Sequence, residues 1–260
     1  MPEPAPEPNP RRRDRALAVV AVALVASLAG NVYLLTSEEA QRAANNAVRL
    51  DPAGTSVYAS ERAKPRPAGP PVLALFGDSR ALMWASPALP GYQVVNRGIG
   101  NQTTGQILLR VDTDIAPLHP AVVVFEGGIN DLKTIPELPG RRADIVATCE
   151  ANLRAIVQRL RAGGATVVLT TVFSIGDVPL WRKPFWSDDV ALSIREVNTF
   201  LRPLTGDGVV LFDANAVLDD ERGKIKPPYQ FDYLHVASPG YAALDEKLVP
   251  LVKALPSAPR

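Results

Sequence analysis

The pattern of apolar and polar positions changes character twice along the chain. Residues 1–10, MPEPAPEPNP, hold five prolines in ten positions, a composition that breaks helices and buries nothing. RRRDR follows at 11–15, and residues 16–35, ALAVVAVALVASLAGNVYLL, then run for twenty positions without a charge. A helix of that length spans about 30 Å, the thickness of a bilayer's hydrocarbon core, and this one is apolar on every face rather than along one stripe. The run exceeds the roughly 7–15 apolar residues of a cleaved leader and ends in only a loose small-residue pattern. The pattern predicts a disordered cytoplasmic tail over 1–15 and a transmembrane anchor over 16–35. The arginines stand on the cytoplasmic side, which places everything after Leu35 outside. Residues 36–70 read as a short juxtamembrane helix, capped by Ser37 and stopped at Asp51-Pro52. A Pro-rich tether follows, able to reach roughly 60 Å when extended.

From Val72 the pattern changes again. Short β-branched runs (72–76, 93–96, 121–125, 165–171 and 209–212) alternate with helical stretches at Thr103–Ile115, Arg142–Ala162, Asp188–Leu204 and Ser238–Ala254. Most of the runs are apolar throughout, as strands covered on both faces must be. Val146, Cys149, Leu153, Ile156, Val157 and Leu160 recur at helical spacing, and Gly163-Gly164 ends that helix. Five strands with intervening helices predict an α/β domain over 71–257, a three-layer α/β/α (flavodoxin-like) fold with a five-stranded parallel sheet. In such folds the site lies outside the carboxyl ends of the strands.

Composition removes several function classes. The chain of 260 residues has one Cys and two His and a net charge of +1. That leaves no disulfide framework, no multi-His or Cys-cluster metal centre and no basic stripe for nucleic acid. No cofactor is expected. Gly98-Ile99-Gly100 follows a strand, but the third glycine of a dinucleotide fingerprint would fall at 103, which is Thr.

What remains are polar residues placed just after strands. The first strand leads into Gly77-Asp78-Ser79, the second into Asn96-Arg97-Gly98-Ile99-Gly100-Asn101-Gln102-Thr103, and the third into Gly127-Gly128-Ile129-Asn130-Asp131. Asp232-Tyr233-Leu234-His235 precedes the last helix. An Asp three residues before a His can accept from the imidazole Nδ1–H and leave Nε2 as a base for a serine hydroxyl. Each signal alone has a blander explanation: Asp78-Ser79 as a helix cap, Asn130 as a turn residue. His119 precedes the third strand and belongs at the opposite rim.

Taken together, four blocks in this order resemble the SGNH hydrolases, also called GDSL-type esterases and lipases, from about residue 72 to 255. The resemblance implies Ser79 as nucleophile, His235 as base and then acid, and Asp232 as its orienter. It implies an oxyanion hole from the Ser79 N–H, a backbone N–H at Gly100 or Asn101, and the Asn130 side chain. Two positions depart from the family's usual pattern: Asn101 stands where Gly is usual, and Arg80 where Leu is commonest. Arg80 either meets an anionic group of the substrate or, the favoured reading, lies along the helix surface. Trp181 and Trp186, on the segment after the fourth strand, are candidates to stack on a sugar ring or line an acyl pocket. The expected activity is hydrolysis of an envelope glycan or lipid ester through an acyl-enzyme, on the outer face of the membrane. The same site would also serve an O-acyltransferase. A non-catalytic binding module is the other alternative, and the intact Ser79, Asn130, Asp232 and His235 argue against it.

Overall fold

The computed structural model of the protein describes residues 10–64, 69–85 and 87–255. The first nine residues of the Pro-rich tail and linker residues 65–68 lie outside the described residues. Helix α1 (Pro10–Leu50) is solvent-exposed throughout the side chains described and is long and apolar enough to cross a membrane. It is one helix of 41 residues rather than an anchor followed by a separate helix from Ser37. The reason is local. Ser37 does not cap: its hydroxyl donates back to the Leu34 carbonyl, as Thr36 does to Val32. The following residues are mostly strong helix formers, with Glu38 and Arg42 paired one turn apart. The helix stops where expected, just before Asp51-Pro52.

A second unit begins at Ala53. The stretch expected to be a free tether contributes α2 (Ala59–Arg62), and its first dozen residues pack onto the unit. Ala53 and Tyr58 are buried. The Tyr58 hydroxyl donates to the Gly98 carbonyl at 2.6 Å, Gln102 donates to the Ala53 carbonyl, and Glu61 pairs with the buried Arg97 at 2.6 Å. These are single long-range contacts made by polar residues, so no hydropathy pattern announces them.

The sheet is formed by β1 (Val72–Gly77), β2 (Gln93–Gly98), β3 (Val122–Glu126), β4 (Thr166–Thr170) and β5 (Val209–Phe212), all parallel, in the order β2-β1-β3-β4-β5. Around it lie α3 (Ser79–Met83), α4 (Thr104–Leu109), α5 (Ile129–Leu132), α6 (Arg142–Ala162), α7 (Asp189–Leu201), α8 (Asn215–Leu218) and α9 (Ser238–Lys253). Alternation along the strands sorts their side chains into two cores. Ala74, Phe76, Val123 and Phe125 face α4, α6 and α7, while Leu73, Leu75, Val122 and Val124 face α8 and α9. This is the expected three-layer arrangement.

The stretch expected to be helical over Thr103–Ile115 breaks after Leu109. It continues as a wide turn, Val111–Ile115, and a 3-10 turn, Ala116–Leu118. The break falls at Arg110, whose fully buried side chain turns inward to the Gly77 and Arg97 carbonyls. Helix α7 ends at Leu201, where Pro203 enforces a 3-10 turn.

Candidate active site

Strand register brings the first three blocks to one edge. Gly77 stands opposite Gly98 on one side and Glu126 on the other, so the segments after β1, β2 and β3 leave the sheet abreast. The fit there depends on missing side chains. A Cβ on Gly77 would lie 1.9 Å from the Glu126 carbonyl oxygen, and one on Gly98 would lie 2.2 Å from the Leu82 nitrogen. Both exceed what packing tolerates, which lets α3 sit directly on the strand ends.

Asp78 caps α3, accepting from the Arg80 N–H at 2.9 Å. The cap places Ser79 as the first residue of the helix. The Ser79 hydroxyl, half-buried, lies 3.0 Å from His235 Nε2. His235 Nδ1 lies 2.8 Å from Asp232 Oδ2. The other oxygen of Asp232 accepts from the Leu234 and His235 backbone N–H groups, both at 2.7 Å, so the loop's own backbone fixes the carboxylate. Partial burial pushes this carboxyl up, but the hydrogen bonds from His235 and the two N–H groups outweigh it and hold Asp232 below the usual carboxylate range. With Nδ1 donating to a carboxylate, Nε2 faces the hydroxyl as an acceptor. This arrangement can move a proton from Ser79 to His235.

Asn130 lies in α5, buried, with one side-chain N–H donating to the Gln102 carbonyl at 3.0 Å. Its other amide hydrogen remains for a ligand. Asp131 ties the second block to the third by accepting from the Thr104 N–H at 2.8 Å and the Thr104 hydroxyl at 2.6 Å. Asn101 adopts a left-handed conformation, φ 63°, and its side chain accepts from Lys133 at 3.0 Å. Asn is among the few residues that take this conformation readily, so it can stand where the resemblance leads to an expected glycine. Gly100 is exposed, with open space where a Cβ would stand.

One expectation is corrected in detail. Arg80 neither lies on the helix surface nor reaches outward to a substrate: it is fully buried. Its guanidinium donates to three carbonyls, Leu234 through Nε at 2.9 Å, Phe173 at 2.7 Å and Ser174 at 3.1 Å. Trp181 and Trp186 part company. Trp181 is 72% exposed, whereas Trp186 is half-buried and meets the Tyr233 ring edge-on at 5.3 Å, bracing the loop that carries His235. His119 stands ahead of β3, at the opposite end of the sheet from Ser79.

The sequence gives no signal for the buried charges beneath the serine. Asp78 and Glu126 are essentially inaccessible. Burial pushes both carboxyls up, the Asp78 charge pushes Glu126 further, well above the carboxylate range, and Arg80 pulls both down. Arg110, which donates to the Gly77 carbonyl, stacks on Phe76 with 4.5 Å between guanidinium carbon and ring centroid, and its burial lowers its pKa to about 10. A charged residue next to an apolar strand reads in sequence as surface, and only the carbonyls it meets in three dimensions make it a core residue.

Comparison with known proteins agrees with this architecture. The family model of GDSL-like lipases and acylhydrolases matches residues 74–243. The fold is similar to that of a GDSL-like lipase from Bacteroides thetaiotaomicron, at 23% identity over 78% of this chain and 99% of that one, with a TM-score of 0.63. It is also similar to a lipase/acylhydrolase from Enterococcus faecalis (21% identity, 73% and 99% covered, TM-score 0.52). A mutant of an acetyl-xylooligosaccharide esterase from Geobacillus is a third (20% identity, 74% and 98% covered, TM-score 0.54). No curated protein matches the chain.

Proposed function

The chain belongs to the GDSL-like lipase/acylhydrolase family, and from that premise we propose that it is a serine ester hydrolase using Ser79, His235 and Asp232. The observation that carries this is the continuous hydrogen-bonded chain from the Ser79 hydroxyl through the His235 imidazole to Asp232. As His235 Nε2 takes the hydroxyl proton, Ser79 Oγ attacks the ester carbonyl carbon. The Ser79 N–H, an N–H of the Gly100–Asn101 turn and the free amide hydrogen of Asn130 receive the oxyanion. His235 returns the proton to the departing alcohol oxygen, leaving an acyl-serine. Water, deprotonated by the same Nε2, attacks the acyl carbon, and the acid leaves as Ser79 recovers its proton.

Helix α1 acts in this reading as a membrane anchor. Arg11, Arg12, Arg13 and Arg15 at its start hold that end in the cytoplasm and place the catalytic unit outside. The substrate is then an acyl ester carried by a glycan or lipid of the envelope. The exposed Trp181 supplies a flat apolar face of the kind that stacks on sugars or acyl chains. The test is turnover by the purified full chain in detergent of p-nitrophenyl esters of graded length and of an acetylated xylooligosaccharide, with Ser79→Ala as control. Ester hydrolysis abolished in the control is expected. A folded chain that hydrolyses none of them, or a control that retains full activity, overturns the assignment.

A further inference from the structure

Arg80 directly follows the nucleophile, and all three of its side-chain hydrogen bonds go to backbone carbonyls of other segments. One acceptor is Leu234, the residue before His235. The other two, Phe173 and Ser174, follow β4. Its own carbonyl accepts from the Tyr241 hydroxyl at 2.7 Å, joining α9 to the same point, and its guanidinium sits 5.5 Å from the centre of the Phe173 ring.

We propose that Arg80 is a positioning residue that clamps the His235 loop to the nucleophile turn and so holds His235 Nε2 at hydrogen-bonding distance from Ser79. The proposal rests on the triad reading above. Asp232 orients the imidazole within its own loop and Trp186 braces that loop at Tyr233, but the loop is exposed on its outer side at Phe231 and Asp232 and needs a tie to the Ser79 turn. The guanidinium holds that loop from beneath, through the carbonyl immediately before the base. Its planar fork suits three carbonyls approaching from different segments, which a leucine cannot bind and a lysine binds only in part. The Arg80 charge draws the pKa of the buried Asp78 and Glu126 down against the effect of burial, which marks a cation lying close to both. Arg80 has no accessible surface, so it touches no substrate and its loss acts on the turnover step rather than on binding.

The test compares wild type, Arg80→Leu and Arg80→Lys as full chains in detergent. Steady-state hydrolysis of p-nitrophenyl butyrate is normalised to serines titratable to completion with a slow organophosphonate. In Arg80→Leu, kcat per titratable serine is expected to fall about 100-fold, the cost of a misplacement of about 1 Å, with KM within about twofold of wild type and phosphonylation slowed by the same factor. Arg80→Lys restores part of the loss, to within about tenfold of wild type. A kcat per titratable serine within threefold of wild type in Arg80→Leu overturns the clamp. So does a raised KM with unchanged kcat. If Arg80→Leu does not fold, Arg80→Lys decides: a rate at least threefold below wild type with unchanged KM supports the clamp, and the wild-type rate overturns it. Failure of the wild-type chain to label at Ser79 would instead strike at the triad itself.

Discussion

Asp232 accepts the His235 Nδ1–H through one carboxylate oxygen at 2.8 Å and two backbone N–H groups of its own loop through the other. The orientation of the imidazole within its loop is therefore written into a four-residue segment. Asp232→Asn keeps an oxygen for the backbone bonds but presents an N–H₂ to Nδ1, which forces the imidazole into the wrong tautomer. Turnover is expected to fall on the order of 10³–10⁴-fold with little change in melting temperature. Steady-state kinetics beside a thermal melt check both halves.

Asn130 spends one amide hydrogen on the Gln102 carbonyl and keeps the other. If the free one meets the developing oxyanion, Asn130→Ala lowers kcat by about 10²–10³-fold while KM moves little. An equal rise in KM with kcat preserved would assign the side chain to substrate binding instead.

The packing of residues 53–62 makes the position of a truncation matter. A chain starting at Ala53 retains Tyr58 and the Glu61 partner of the buried Arg97, whereas one starting at Pro71 leaves that arginine unpaired. Glu61 is half-exposed, so screening holds that pair to about 1 kcal/mol, and losing the buried Tyr58 adds about 2 kcal/mol. The shorter chain should melt roughly 5–10 °C lower, as differential scanning calorimetry of the two will show.

Asp219, just after α8, accepts from the Ser174 hydroxyl at 2.7 Å, and burial raises its pKa to about 6. The folded value lies above the unfolded one. This group therefore weighs least on stability where both states are protonated, and destabilises the fold as pH rises from about 4 through about 6. Asp219→Asn should be more stable than wild type by about 1 kcal/mol at pH 7.5, after allowance for solvent screening. That advantage should fade as the pH falls through the same window. Urea denaturation at pH 7.5 and pH 4 measures it.

The fold is legible in the sequence because its signals are local. Apolar runs such as 121–125 and the stripe from Val146 to Leu160 are periodic, and Gly77, Gly98 and Gly128 mark strand ends at which chemistry gathers. His235 and Ser79 were legible as a pair through the order of the blocks, although 156 positions separate them. The features that escaped depend on partners far along the chain. Arg80 and Arg110 are core residues only because carbonyls from other segments converge on them. Tyr58 and Glu61 leave the linker only because Gly98 and Arg97 await them. The unbroken α1 shows the reverse case, in which good helix formers after Leu35 overrode a plausible serine cap.

The central claim is that Ser79 carries the covalent step. The most direct measurement is peptide mass spectrometry of the full chain after reaction with a fluorophosphonate, alongside the loss of esterase activity. A single adduct on Ser79, formed in step with the loss of activity and absent from His235→Ala over the same interval, is the predicted result. Complete inactivation with Ser79 unmodified, or full modification of Ser79 with esterase activity intact, would contradict it.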